Sequence, residues 1–315
     1  MLKNVINAAM LFSFLNLFGQ IQNFGLVLHG GAGYMALRNN PEKVNVYLAA
    51  LNAALDSGYS MLQRGESAEQ VVIHVVMMLE NNTLFNAGRG AVLTEEGIAE
   101  LDASIMTGYD QKAGAVSGLR HVKNPILAAQ AVKDKTQHVM LSGAGAEKFI
   151  FSIGLDSVPN SYFITDDMRA RWEEALKNQK YGTVGCVALD KDGNLAAGTS
   201  TGGMLMKKFG RIGDAPIIGA GTYAKNGLIA VSCTGHGEYF IRTSAAYQVA
   251  ARMRFGRQKA SKAIRSTLEE IKNLGGSGGM IAIDDKGNLY HDYNTEGMFR
   301  AGRNSKGNRF AKIYE

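Results

Sequence analysis

At 315 residues, 46% of them hydrophobic, the chain can bury one large core or two modest ones, and nothing in it suggests disorder. Lys and Arg exceed Asp and Glu by six without a basic run or an RNA-binding signature, so no nucleic-acid partner is expected. The six histidines form no His-Glu-x-x-His pattern and do not cluster with cysteines, which argues against a zinc or transition-metal site.

Met1 to Gly19 has the layout of a secretory signal peptide: a lysine near the start, an apolar run from Ala8 to Phe18, then small Gly19 before Gln20. That run is too short to span a bilayer. The alternative is an apolar helix docked on the body. Export places the mature chain, beginning near Gln20, in the periplasm or outside the cell, with no membrane association once the signal is removed. Phe24 to His29 reads as a strand entering the loop Gly30-Gly31-Ala32-Gly33, which lacks the spacings of phosphate-binding loops.

Val44, Leu48, Leu51, Leu55, Tyr59 and Leu62 recur at helical spacing, predicting an amphipathic helix from Pro41 to Arg64 that ends near Gly65. Ser67-Ala-Glu-Gln70 is a capping box opening a second helix through Glu80. Periodicity lapses from Leu79 to Arg89, and Asn86-Ala-Gly-Arg-Gly90 signals a loop. A small-residue strand follows at Ala113 to Gly118, then helices near Pro125 to Lys133 and Ala144 to Phe151. From Asp156 to Tyr181 the chain turns polar, with Asp166-Asp167 and a mixed-charge run around Trp172.

Gly182-Thr183-Val184-Gly185 then opens an apolar strand through Leu189. Within an intact chain Thr183 is an ordinary hydroxyl, and its simplest role is that of a β-branched residue starting a strand. Cutting the Gly182–Thr183 bond changes its chemistry. Thr183 would then carry a nucleophilic Oγ beside a free α-amine of unperturbed pKa near ~8, making one residue both nucleophile and general base. Asp190-Lys-Asp-Gly-Asn194 is a turn, and Leu195 to Thr201 its hairpin partner. If Leu189 pairs with Leu195, counting sets Thr183 opposite Thr201; a one-residue slip would turn the partner strand's side chains over. Val187 to Leu195 is echoed by Ile281 to Leu289, a second hairpin, with helices over Glu238 to Phe255 and Lys259 to Leu274 between them. Cys186 and Cys233 point, by alternation, away from the faces of Thr183 and Thr234. Buried free thiols are expected; export would leave a disulfide between them as the alternative.

Six stretches resemble, in order and spacing, the plant-type asparaginase/isoaspartyl peptidase family of N-terminal-nucleophile hydrolases. They are Gly182-Thr183-Val184-Gly185, Ser200-Thr201-Gly202-Gly203-Met204, Gly210-Arg211-Ile212-Gly213-Asp214-Ala215-Pro216, Gly219-Ala220-Gly221, Thr234-Gly235-His236-Gly237-Glu238 and Asn294-Thr295-Glu296-Gly297-Met298. The likeness resumes upstream in His29 to Gly33 and in Phe85 to Gly90, covering nearly everything after residue 24. It implies an α+β fold, a four-layer αββα sandwich, with self-cleavage between Gly182 and Thr183. Residues 20–182 would form the first (α) subunit, with the polar segment before Gly182 as its free tail, and residues 183–315 the second (β). A dimer of cleaved αβ units is implied, with no catalytic cofactor.

For catalysis the resemblance adds Asn86, which reaches the active site, and Thr234-Gly235 as the oxyanion hole. On its own Thr234-Gly235 reads equally as a strand-to-helix cap. Thr201 is the candidate partner of the α-amine or of Thr183 Oγ. Arg211 and Asp214 lie three apart in a glycine-bounded loop, so one can fork onto an α-carboxylate while the other takes an α-ammonium; the plainer alternative is a surface ion pair. The Gly237 carbonyl matches a further ammonium contact. The loop around Asn86 would wrap a structural sodium ion with the carbonyls of Leu79, Glu80, Asn82, Phe85, Ala87 and Arg89. Leu205-Met206 stands where the family usually has threonine and asparagine, and His236 where many relatives have threonine. The expected activity is cleavage of β-aspartyl dipeptides and of the side-chain amide of asparagine. Glycosylasparaginase, whose usual motifs differ from this chain at three places, and a non-catalytic binding protein of the same fold are the alternatives.

Overall fold

The computed structural model describes residues 22–33, 40–175 and 182–315; the segment read above as a signal peptide and residues 34–39 and 176–181 lie outside them. Two sheets stack face to face. The larger runs β12 (Arg309–Lys312), β11 (Gly297–Asn304), β1 (Gly25–Gly33), β5 (Val184–Leu189), β6 (Leu195–Thr201), β2 (Leu101–Thr107), β3 (Ala113–Leu119), β4 (Met140–Ser142). The smaller runs β10 (Leu289–Tyr293), β9 (Gly278–Asp284), β8 (Ile229–Gly235), β7 (Thr222–Lys225). Helices α1 (Pro41–Arg64), α2 (Ala68–Glu80) and α3 (Pro125–Lys135) cover the outer face of the large sheet. Of the remainder, α4 (Gly143–Ser152) packs beside β3 and β4, α5 (Asp166–Ala175) falls in the polar stretch after residue 156, and α6 (Gly237–Arg242) follows β8. Helices α7 (Ala245–Arg254) and α8 (Ala260–Asn273) cover the small sheet. This is the αββα sandwich.

The local signals explain most boundaries. Asn40 caps α1 and left-handed Gly65 (φ 90°) closes it; the Ser67/Gln70 capping box of α2 is fully formed. Both faces of β5 are covered, which is why Val184 to Leu189 is continuously small or apolar rather than alternating. On its helix side Val184, Cys186 and Ala188 join Leu26, Leu28 and the buried faces of α1 and α2. On its other side Val187 and Leu189 share a core with Val27, Ile281 and Ile283. Truncating one such leucine to alanine would cost about 2–5 kcal/mol.

Three expectations are corrected. Strand β1 does not end at His29 but continues through the glycines, with a bulge between His29 and Gly31 that absorbs one residue of register against β11. The polar stretch after residue 156 is not simply a tail: Phe163 is fully buried, α5 forms, and the Trp172 indole N–H donates to the Thr94 carbonyl at 2.8 Å. The helix expected over 238–255 breaks in two, because Ser244 takes a left-handed backbone (φ 48°). Both cysteines are free and buried as expected, Cys186 among the residues under α1 and α2 and Cys233 in the core shared with α7 and α8, so the alternative of a disulfide between them is not what the fold adopts.

Candidate active site

The hairpin register is the one the turn dictates: Leu189 pairs with Leu195 and Val184 with Ser200, which leaves Thr183 opposite Thr201. In the intact chain Thr183 Oγ1 lies 3.1 Å from Thr201 Oγ1 and 2.8 Å from the carbonyl oxygen of Gly182. Thr201 donates to that carbonyl at 3.1 Å and accepts the Gly203 N–H at 2.9 Å. Asn86 Nδ2 donates to it at 2.5 Å. The Asn86 amide is itself fixed, giving its other hydrogen to the Gly203 carbonyl and accepting the Val92 N–H, both at 2.8 Å. Donors from three segments therefore meet on one peptide oxygen. Negative charge developing there is what they would stabilise.

Two features bring the backbone into place. Gly31 has φ 113°, and a Cβ there would sit 3.3 Å from Gly182 Cα and 3.4 Å from the Thr183 nitrogen, so β1 approaches this bond as only glycine allows. His29, one residue before the glycines, is fully buried; its Nδ1–H donates to the Thr183 carbonyl at 3.1 Å. Burial pushes its pKa down to about 3, so the ring is neutral.

Thr234 and Gly235 end β8. Thr234 is fully buried, yet its hydroxyl has no hydrogen-bond partner. It is not a helix cap, because α6 starts at Gly237 with His236 in the capping position. Gly235 has φ 148° and touches Gly278 so closely that no side chain fits. Arg211 and Asp214 form no surface ion pair either. The Arg211 Nε and Nη2 fork onto Glu238, each at 2.8 Å. Asp214 is 4% exposed with Oδ2 unpartnered, and burial pushes its carboxyl up to about 7 despite the pull of Arg211. A Cβ on Gly237 would fall 2.9 Å from both Arg211 Nη2 and Asp214 Oδ1, so the three residues meet. Gly203 links them to Thr201: its own missing Cβ would lie 3.6 Å from Arg211 Nη1.

A cavity of about 870 Å³ is lined among others by Gly31, Asn86, Gly182, Leu205, Ser277 and Asn294. Leu205 is buried there, and Met206 beside it takes a left-handed backbone (φ 64°) that asparagine adopts more readily. His236 packs edge-on against Tyr239 and lies 4.0 Å from Glu238. In the loop after α2, the carbonyls of Asn82, Phe85 and Ala87 each accept a main-chain N–H, and that of Leu79, at the end of the helix, accepts the N–H groups of both Asn81 and Asn82. The Glu80 carbonyl abuts Gly88 and the Phe85 carbonyl abuts Gly90; Arg89 is exposed. No group of three or more His, Cys, Asp or Glu among the described residues could hold a metal, so a cation in this loop would rest on carbonyls.

Sequence reasoning missed His29 as a support of Thr183, Glu238 as the partner of Arg211, and buried Glu80. The Glu80 carboxylate accepts from the Ser200 hydroxyl at 2.7 Å and from the Ile126 N–H at 2.9 Å, tying α2 to the residue before Thr201. A glutamate closing a helix carries no spacing signal for a partner 120 residues away.

A family model described as Asparaginase matches residues 22–181 and 174–312. The isoaspartyl peptidase of Escherichia coli (strain K12) is 47% identical over 296 residues, 88% of this chain and 91% of that protein. The isoaspartyl peptidase/L-asparaginase of Danio rerio is 40% identical over 273 residues, 83% and 86% of the two chains. A probable isoaspartyl peptidase/L-asparaginase of Arabidopsis thaliana is 39% identical over 326 residues, 93% of this chain and 99% of that one. With its sandwich fold and these likenesses over most of its length, the chain belongs to the asparaginase family.

Proposed function

We propose that this chain is a threonine amidohydrolase that cleaves itself between Gly182 and Thr183 and then hydrolyses β-aspartyl dipeptides and the side-chain amide of L-asparagine. The observation that carries the reading is the Gly182 carbonyl, held by Asn86 and Thr201 beside the Thr183 hydroxyl. In the self-cleavage, Thr183 Oγ bonds to the Gly182 carbonyl carbon. The C–N bond breaks, the hydroxyl proton passes to the departing Thr183 nitrogen, and water hydrolyses the ester to free Gly182 and regenerate the hydroxyl. In turnover the new α-amine takes the Oγ proton and Oγ attacks the β-carboxyl amide. The protonated amine leaves, and water releases aspartate.

Orphaned Thr234 Oγ1 and Asp214 Oδ2 support the substrate reading, since a tetrahedral oxygen and an α-ammonium are the partners these atoms lack. Gly235 N–H would complete the oxyanion hole, and Arg211 and the Gly237 carbonyl would share the amino-acid end. The isoaspartyl peptidases to which the chain is similar support the same substrates. A sodium ion on the carbonyls of Leu79, Glu80, Asn82, Phe85, Ala87 and Arg89 would stiffen the loop that delivers Asn86. We also assign export by residues 1–19 and pairing of two cleaved units; a mature first subunit starting near Gln20 would support the former.

The test is turnover by the purified protein with a β-aspartyl dipeptide, L-asparagine and N-acetylglucosaminyl-asparagine side by side. The first two should be hydrolysed. Hydrolysis of the glycosylated substrate alone would make the protein a glycosylasparaginase, and a chain that stays whole and turns over none would make it a binding protein.

A further inference from the structure

Between the two sheets, in a layer otherwise filled by residues such as Val27, Val187 and Ile281, runs an unbroken line of polar side chains. It begins at the Thr183 carbonyl, 3.1 Å from His29 Nδ1. His29 Nε2 is 3.0 Å from Ser232 Oγ, which is 2.8 Å from Thr199 Oγ1. Thr199 is 2.5 Å from Thr222 Oγ1, and Thr222 2.8 Å from Ser104 Oγ. Ser104 ends the line 2.6 Å from the carbonyl of Ala215, the residue after Asp214. All five side chains have zero exposure. One end of the line is the nucleophile's own backbone; the other is the loop that carries Arg211 and Asp214.

The chemistry fixes a direction. The Thr183 carbonyl only accepts, so the neutral ring of His29 carries its hydrogen on Nδ1 and presents a bare Nε2. Ser232 must then donate to Nε2, Thr199 to Ser232 and Thr222 to Thr199. Ser104 is left with one proton for two acceptors, Thr222 Oγ1 and the Ala215 carbonyl, and Thr199 likewise faces the Gly221 carbonyl at 3.3 Å besides Ser232. Valine or alanine would fill these inter-sheet positions without that shortfall, so cohesion of the sandwich does not call for the line.

We propose that His29, Ser232, Thr199, Thr222 and Ser104 are positioning residues that set Thr183 at a fixed distance from the Arg211–Asp214 loop. None of the last four touches substrate in this scheme. They decide whether a substrate anchored by its amino-acid end presents its β-carbonyl at the threonine oxygen. The proposal rests on the function proposed above.

The test is Thr199→Val, which keeps the shape and removes the middle hydroxyl, beside Thr199→Ser, which restores it. Kinetics on a β-aspartyl dipeptide are expressed per Thr183 α-amine, counted by N-terminal analysis. Thr199→Val should lower kcat about 10²-fold, the effect of a misplacement near 1 Å, with KM within about twofold. Thr199→Ser should recover most of the loss. Ser104→Ala, at the far end, should repeat the kcat loss and serves if Thr199→Val does not fold. Variants with wild-type kcat per α-amine and only a lowered Tm would overturn the positioning role. Wild-type protein inert to both substrates would instead overturn the proposed function, and the network's role with it.

Discussion

Replacing Asn86 by alanine removes one donor from the Gly182 carbonyl oxygen, whose carbon is the one attacked in the proposed self-cleavage. In the intact chain Asn86 Nδ2 reaches the Gly182 carbonyl at 2.5 Å, the shortest of its contacts there, while Thr201 reaches it at 3.1 Å. Loss of a single such donor typically slows reaction by about 10²–10³-fold, equivalent to about 2.7–4 kcal/mol of transition-state stabilisation. Because Asn86 also holds the Gly203 carbonyl and the Val92 N–H, some of the loss will come from a loosened loop. Asn86→Asp separates the two contributions. It keeps the acceptor for Val92 but sets an anion against the carbonyl oxygen, so it should be slower than Asn86→Ala. The assay follows the intact band on a denaturing gel after synthesis, with intact-mass analysis at each time. Cleavage of Asn86→Ala at the wild-type rate would refute the argument that this carbonyl is the reacting one.

Four further outcomes follow from the geometry. With its carboxyl pushed up to about 7, Asp214 loses the charge needed for an α-ammonium below that pH, so kcat/KM should fall on acidification through about 7. Asp214→Asn should raise KM while leaving self-cleavage intact; an unchanged KM would remove Asp214 from the substrate site. His29 stays neutral in the fold down to about pH 3, whereas the unfolded chain takes up its proton near 6.5. Its contribution is whole above 6.5 and declines by up to about 1.4 kcal/mol per pH unit as pH falls from there toward 3. Urea denaturation of wild type and His29→Gln should therefore differ less at pH 4 than at pH 7, and a difference that widens on acidification would contradict the buried neutral ring. Met206→Asn should gain about 1 kcal/mol, since asparagine tolerates the left-handed backbone that methionine is forced into; a lower denaturation midpoint would assign the loss to packing instead.

Much of this site was legible because it is built from local rules. The turn Asp190 to Asn194 sets the β5–β6 register, and that register alone places Thr201 beside Thr183. Capping residues bound α1 and α2 to the residue. What stayed hidden depends on contacts across the sandwich. His29 is one apolar-strand histidine until β8 lays Ser232 against it, 203 residues away. Glu238 looks like an exposed first-turn acid until the Arg211 loop folds onto α6. The charge-rich composition around Trp172 hides α5, because scattered anchors, buried Met168 and Phe163 and the Trp172 indole among them, hold that segment to the body. Even the αββα layering was reached through family resemblance, since apolar strands covered on both faces do not reveal which sheet they join.

The central claim is that Thr183 becomes the N-terminus of a second subunit by its own attack on Gly182. The most direct measurement is the intact mass and N-terminal sequence of the purified protein and of Thr183→Ala after the same incubation. The account predicts a fragment beginning at Thr183 in the wild type and, in the variant, one chain unbroken after Gly182. A wild-type chain that remains whole, or a variant that still parts at this bond, would contradict it.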